Sequence, residues 1–155
     1  MTRWLVFAAM AWALVAVPAM ASGGAPTDEI RALYDRFLAA QNARDLEGVR
    51  AVLWTSPNFQ WVSDGKSFWG PDALVERMAG FQKAEVWKVI PDRSRAKVVD
   101  IAAGAAYLFQ PLVLRIGSAE NPGEIPFLVN VLAVETAEGW RIAALFTTTE
   151  KRQSN

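Results

Sequence analysis

The residues able to do chemistry in this 155-residue chain are few. It contains neither histidine nor cysteine, which removes Ser-His-Asp triads, Cys/His nucleophile pairs, the usual zinc clusters and haem ligation through histidine. Carboxylates, amides, two tyrosines and a set of indoles remain. The informative ones interrupt apolar rows, because a buried polar group needs a partner or a ligand. Asn130 shares a strand face with Leu128, Leu132 and Val134, and Gln110 shares one with Leu108, Leu112 and Leu114. Pointed into a pocket, these amides would bind the polar end of a ligand; otherwise they bond each other or nearby backbone across adjacent strands. Asp100, between Val98 and Ala102, is a general base if buried and a solvated strand-end acid if not. Asp64 more simply begins the turn Asp64-Gly65.

Aromatic residues gather at one place. Trp54, Phe59, Trp61, Phe68 and Trp69 lie close together in sequence, with Trp87 and Trp140 elsewhere. Each indole offers a large contact face and one N–H donor. Trp54 and Trp61 are the leading candidates to line a pocket, joined by Tyr34; the competing reading is ordinary core and edge packing.

These side chains are positioned by a regular series of elements. Thr27 is a candidate N-cap, and Ile30, Leu33, Tyr34, Phe37 and Leu38 form one helical stripe. Asp45 caps a second short helix that carries Leu46, Val49, Val52 and Leu53, with Pro57 beyond its end. Residues 58–63 alternate as a strand, placing Phe59, Trp61 and Ser63 on one face, and Phe68-Trp69 returns after the Asp-Gly turn. Gly70-Pro71-Asp72 opens a third helix with Leu74, Val75, Met78 and Phe81 inward. Four β-rich stretches follow, 85–90 with 96–102, 105–117, 124–136 and 139–149. Helices followed by long antiparallel strands predict an α+β fold, three N-terminal helices closing a curved, mostly antiparallel sheet.

The ends and the charge bound the setting. Arg3, an apolar run from Trp4, Pro18 and the triplet Ala19-Met20-Ala21 have the order of a cleavable secretory signal over residues 1–21. An uncleaved anchor is the alternative, disfavoured by Pro18 and the alanine content. Residues 22–26 are then a flexible lead-in, 27–150 a single domain and 151–155 a tail. Export predicts a periplasmic or secreted protein that meets the membrane only transiently, through its signal. Loss of Arg3 leaves 15 basic against 16 acidic residues, a near-neutral surface with no electrostatic reason to seek nucleic acid. About 130 residues without cysteine must stand on their core alone.

The element order, with its local words, resembles the nuclear-transport-factor-2-like superfamily in its bacterial SnoaL-like or ketosteroid-isomerase-like branch. Those words are Tyr34-Asp35-Arg36-Phe37 followed by Ala43-Arg44-Asp45-Leu46-Glu47-Gly48-Val49, then Phe59-Gln60-Trp61-Val62 leading to Gly70 and Ala73-Leu74. The hairpin Glu138-Gly139-Trp140-Arg141-Ile142 completes them. The resemblance implies a cone-shaped fold with an apolar pocket between helices and bent sheet, often dimerised through the outer sheet face. It implies no single activity. Isomerase-like relatives pair a carboxylate base with a tyrosine and a neutral acid, a motif that Tyr34 and Tyr107 do not match here. Cyclase-like and dehydratase-like relatives often carry a histidine late in the last strand, where this chain reads Ala144-Leu145-Phe146-Thr147-Thr148.

Three expectations result. The first is a cofactor-free domain binding a small apolar or aromatic molecule without strong catalysis, lined by Tyr34, Trp54, Trp61, Asp100, Gln110 and Asn130. The second is a homodimer or interaction module covering the face of Phe127, Val129, Val131 and Ala133. The third is an isomerase or dehydratase with Asp100 or Asp64 as base.

Overall fold

The computed structural model describes residues 26–151, so the expected signal peptide, most of the expected lead-in and most of the expected tail lie outside the described residues. Helix α1 spans Pro26–Ala43, beginning one residue before the expected cap, and buries the whole stripe from Ile30 to Leu38. The short helix α2 spans Leu46–Ala51, capped by the Asp45 carboxylate, which accepts from the Gly48 N–H at 2.9 Å. Strands β1 (Gln60–Ser63) and β2 (Lys66–Trp69) form a hairpin. Its two-residue turn, Asp64-Gly65, holds φ at 50° and 73°, the mirror-image turn that this dipeptide favours. Helix α3 spans Pro71–Phe81, with Pro71 in its first turn, where its missing N–H would have no helical partner.

The remaining strands are β3 (Val86–Pro91), β4 (Lys97–Ala102), β5 (Ala105–Gly117), β6 (Pro122–Thr136) and β7 (Gly139–Thr149). They join the hairpin in one seven-stranded sheet of order β2-β1-β7-β6-β5-β3, antiparallel except for the β1–β7 pair. The two stretches before β5 do not pair with each other. β3 lies along residues 112–117 of β5 and β4 along residues 105–109, so one long strand carries both. A register shift in β7 between Ile142 and Ala144 keeps Ile142 and Leu145 on the same buried face and bends the sheet, as bulges do.

Helices α1 and α3 cover the inner face of this curved sheet, where Leu108, Val129, Val131, Ala133 and Leu145 are buried. This corrects the reading of β6. Phe127, Val129, Val131 and Ala133 face the helices, with Val131 1% and Ala133 0% exposed, whereas Asn130 shares the outer face with Leu128, Leu132 and Val134. Between Ile125 and Val134 both rows of β6 are apolar apart from Asn130, so a period of two could not say which row the helices cover.

The edge at β3 is held by side chains. The Asn42 amide donates to the Val89 carbonyl at 3.0 Å and accepts from its N–H at 2.7 Å. Arg44, with φ 59° at the end of α1, donates to the carbonyls of Gln82, Ala84 and Glu85 just before the strand. No helix among the described residues is long and apolar enough to cross a membrane.

Candidate functional site

Between α1, α3 and the sheet lies a cavity of about 210 Å³. Helix α1 supplies Tyr34, Phe37 and Gln41, at i, i+3 and i+7 on the stripe that faces the sheet. Leu74, Met78 and Phe81 enter from α3 at i, i+4 and i+7, again one helical face. Trp61 and Ser63 stand on the inner face of β1, with Asp64 at the rim in the following turn. The floor is apolar, with Leu112 and Leu114 on β5 beside their cross-strand partners Phe127 and Ile125 on β6. Trp87 and Val89 of β3 close one side; Leu145 and Thr147 of β7 lie beside β1 in the sheet.

Hydrogen bonds fix some of this lining. The Trp61 indole Nε1 donates to Thr147 Oγ1 at 3.2 Å, and that hydroxyl lies 3.2 Å from the Val62 carbonyl, to which it donates. Phe68 packs on Trp61 at 5.3 Å between ring centroids. Behind them the Arg77 guanidinium lies over Phe68 and Phe81, 4.7 Å from each centroid, and 5.8 Å from that of Trp61. This is cation–π geometry. Phe81 in turn stacks on Trp87 with centroids 6.3 Å apart and planes 8° from parallel. Burial pushes the Tyr34 phenol above the ordinary tyrosine range, so it is a neutral O–H group at physiological pH.

The six expected site residues do not come together. Tyr34 and Trp61 line the cavity, 3% and 8% exposed. Trp54 does not: its backbone N–H donates to Ile142 at 2.8 Å, where the segment after α2 meets β7, and its side chain lies outside the cavity lining. Asp100 is exposed on β4, a strand that contributes nothing to the cavity. Gln110 does point inward and is buried, yet its Nε2 donates to the carbonyls of Asp92 (2.9 Å) and Pro111 (2.8 Å). Its amide is used to hold the β3–β4 connection. Asn130, on the outer face, accepts from the Tyr107 hydroxyl. Backbone and a neighbouring strand satisfy these two amides, the alternative to ligand binding.

Sequence reasoning missed Gln41 and Ser63, and each carried a signal. Gln41 continues the Tyr34–Phe37–Leu38 stripe by one more helical step, and Ser63 alternates with Trp61 on the inward face of β1. Polar residues at such positions are buried, here at 7% and 6% exposed. As for a proton-transfer base, Asp64 is exposed at the rim and is the only carboxylate among the described lining residues. Among the described residues no group of three or more metal-ligating side chains is gathered.

No curated protein matches this sequence. Solved structures resemble its fold closely. One is an uncharacterized protein with a cystatin-like fold from Caulobacter vibrioides, at TM-score 0.70 and 23% identity over 81% of this chain and 90% of that one. Another is a nuclear-transport-factor-2-like protein of unknown function from Shewanella oneidensis, at TM-score 0.59 and 21% identity over 79% and 98%. A third is a type 2 hexachlorocyclohexane dehydrochlorinase, at TM-score 0.69 and 11% identity over 81% and 86%. Likeness at these identities concerns the fold and carries no activity across. The sequence itself goes further: residues 30–145 match the model of the SnoaL-like domain, and the chain belongs to that family.

Proposed function

We propose that this is an exported domain that binds a small apolar molecule in the cavity between α1, α3 and the sheet, without strong catalysis. One observation carries the reading: a cavity of about 210 Å³ walled by aromatic and aliphatic side chains, where the only carboxylate among the described lining residues is solvated at the rim. Apolar walls with a few polar groups are the usual make-up of a small-molecule site. A base for isomerisation or dehydration must reach a substrate proton within about 3 Å or through one water. Asp100 lies off the cavity, and Asp64 stands in solvent at its edge. The dehydrochlorinase among the structural neighbours shares the fold at 11% identity, too distant to supply an activity here.

The test is native mass spectrometry of protein purified from the periplasm of an expression host, followed by thermal-shift screening with neutral apolar compounds. An N-terminus at Ser22, a co-purifying small molecule and a raised melting temperature are expected. An unprocessed N-terminus would refute export; no bound molecule and no shift with any compound would refute binding.

A second reading, compatible with the first, is homodimerisation through the outer sheet face. It is supported by apolar side chains left uncovered there: Ile90 (42% exposed) and Phe146 (40%) flank a row that includes Phe109, Val113, Leu128 and Leu132. Contiguous apolar surface of this kind marks interaction sites. Sedimentation velocity over a range of concentrations would show only monomer if the face stays bare in solution.

A further inference from the structure

Four polar side chains line the cavity with hydrogen-bonding capacity that no described residue uses: Tyr34, Gln41, Ser63 and Trp87, whose indole N–H is buried without a partner. Tyr34, Gln41 and Ser63 are 3%, 7% and 6% exposed, and none of the three side chains is hydrogen-bonded to another described residue. The contrast with their neighbours is informative. Thr147 also lines the cavity, but its hydroxyl is taken up by Trp61 and Val62. Gln110 is equally buried, and its amide is bound to two carbonyls. The polar atoms of Tyr34, Gln41 and Ser63 open onto the cavity and are not sealed in the core as Trp87 Nε1 is, and a polar group in apolar surroundings favours a ligand that partners it.

Charge and size narrow the partner. Asp64 is the only formally charged residue among the described lining, and Arg77 lies behind the Trp61 and Phe81 rings and is not part of the lining. An anion entering the cavity would lose its hydration, meet no cation and pass the Asp64 carboxylate at the rim. The Tyr34 phenol, kept neutral by burial, donates to or accepts from an uncharged oxygen equally well. An apolar cavity of about 150 Å³ holds benzene, so about 210 Å³ suits one or two rings rather than a long chain.

We infer that the ligand of this cavity is an uncharged molecule of one or two rings bearing a hydroxyl or carbonyl oxygen, read by Tyr34, Gln41 and Ser63. The inference rests on the binding function proposed above and adds the chemical class. It distinguishes an apolar cavity that takes up any hydrocarbon from one that selects oxygen. A hydroxyl loses its water on entry, so an apolar cavity without free polar groups prefers the methyl isostere; unused partners reverse that preference.

The experiment compares 2-naphthol, its isostere 2-methylnaphthalene and the anion 2-naphthoate by calorimetry at neutral pH, using the mature protein. Binding of 2-naphthol at least about fivefold tighter than 2-methylnaphthalene, with 2-naphthoate weakest, is expected. Tyr34→Phe and Ser63→Ala should each narrow the preference for naphthol about three- to tenfold while leaving 2-methylnaphthalene affinity near its original value. Gln41→Leu serves as the third variant where either of the others fails to fold. Equal affinity for 2-naphthol and 2-methylnaphthalene, or 2-naphthoate binding as tightly as 2-naphthol, overturns the inference and leaves the binding function standing. Failure of all three to bind overturns both.

Discussion

Trp61 and Thr147 meet diagonally across the only parallel pair of strands in the described sheet, the indole Nε1 donating to Thr147 Oγ1 at 3.2 Å. The contact does two things. It satisfies a buried donor, and it fixes the plane of an aromatic wall of the cavity. Thr147→Val removes the acceptor and leaves the indole N–H buried without a partner. Destabilisation of about 1–3 kcal/mol is expected, read from urea unfolding followed by tryptophan fluorescence. A change near zero would mean that the indole has turned to another acceptor.

The core beneath this wall depends on single large side chains. Phe59 precedes β1 and is fully buried. Truncation to alanine there removes a ring from a close-packed interior and leaves a void; Phe59→Ala should lose about 3–5 kcal/mol. Equilibrium denaturation at a constant m-value would show it as a fall in the midpoint.

The cap of α2 is a smaller and more local matter. Asp45 accepts from Gly48, and Gly48 has no room for a side chain, since a Cβ there would come within 2.5 Å of the Asp45 carboxylate. Asp45→Ala is expected to destabilise by about 1 kcal/mol. Gly48→Ala, which would ordinarily favour a helix, should destabilise as well, and a pair of thermal melts is sufficient to decide.

Acid sensitivity centres on one surface cluster. Asp92 is held down to about 2 by hydrogen bonds from Ser94 and Arg95, and Glu150 is held below its ordinary value by its hydrogen bonds from Arg95. Both carboxylates bind protons more readily in the unfolded chain. Their contribution is therefore present above the ordinary carboxylate values of 3.8 and 4.5 and is lost as pH falls toward 2. The melting temperature of the protein should fall between pH 5 and pH 2, and the fall should be shallower in Asp92→Asn. Parallel curves for the two proteins would remove this cluster from the acid response.

The outer sheet face makes its own prediction. If a second copy covers it, Phe146→Lys buries a charge in the contact and should weaken self-association at least tenfold. Analytical ultracentrifugation reads the shift directly, and the same variant should retain ligand binding because Phe146 points away from the cavity.

Much of this arrangement was legible in the sequence. The α1 stripe, the Asp45 cap, the Asp64-Gly65 turn and Pro71 in the first turn of α3 are each local signals, set by neighbouring residues, and each appears where the chain placed it. What failed depended on contacts distant in sequence. Trp54 reads as a pocket residue from its composition, but its place is decided by the meeting of residues 53–54 with Ile142 on β7. The inner row of β6 cannot be told from the outer when both are apolar. Gln110 was open between a ligand and nearby backbone, and the Asp92 carbonyl that takes its amide comes from a connection whose path no periodicity reveals. Gln41 and Ser63 lie at the ends of apolar stripes, where a polar side chain reads equally as the solvated end of the element.

The Asn42 amide closes on the outward N–H and carbonyl of Val89 as the backbone of another strand would. At that point β3 offers no free ladder for a foreign strand to extend, and the arginine at the end of α1 occupies the carbonyls just before it. Open sheet borders are where misfolded neighbours recruit one another into fibrils. One helix terminus thus acts as a selvage on this side of the fabric, leaving the protein free to meet other molecules by its faces while that border resists fraying into aggregates.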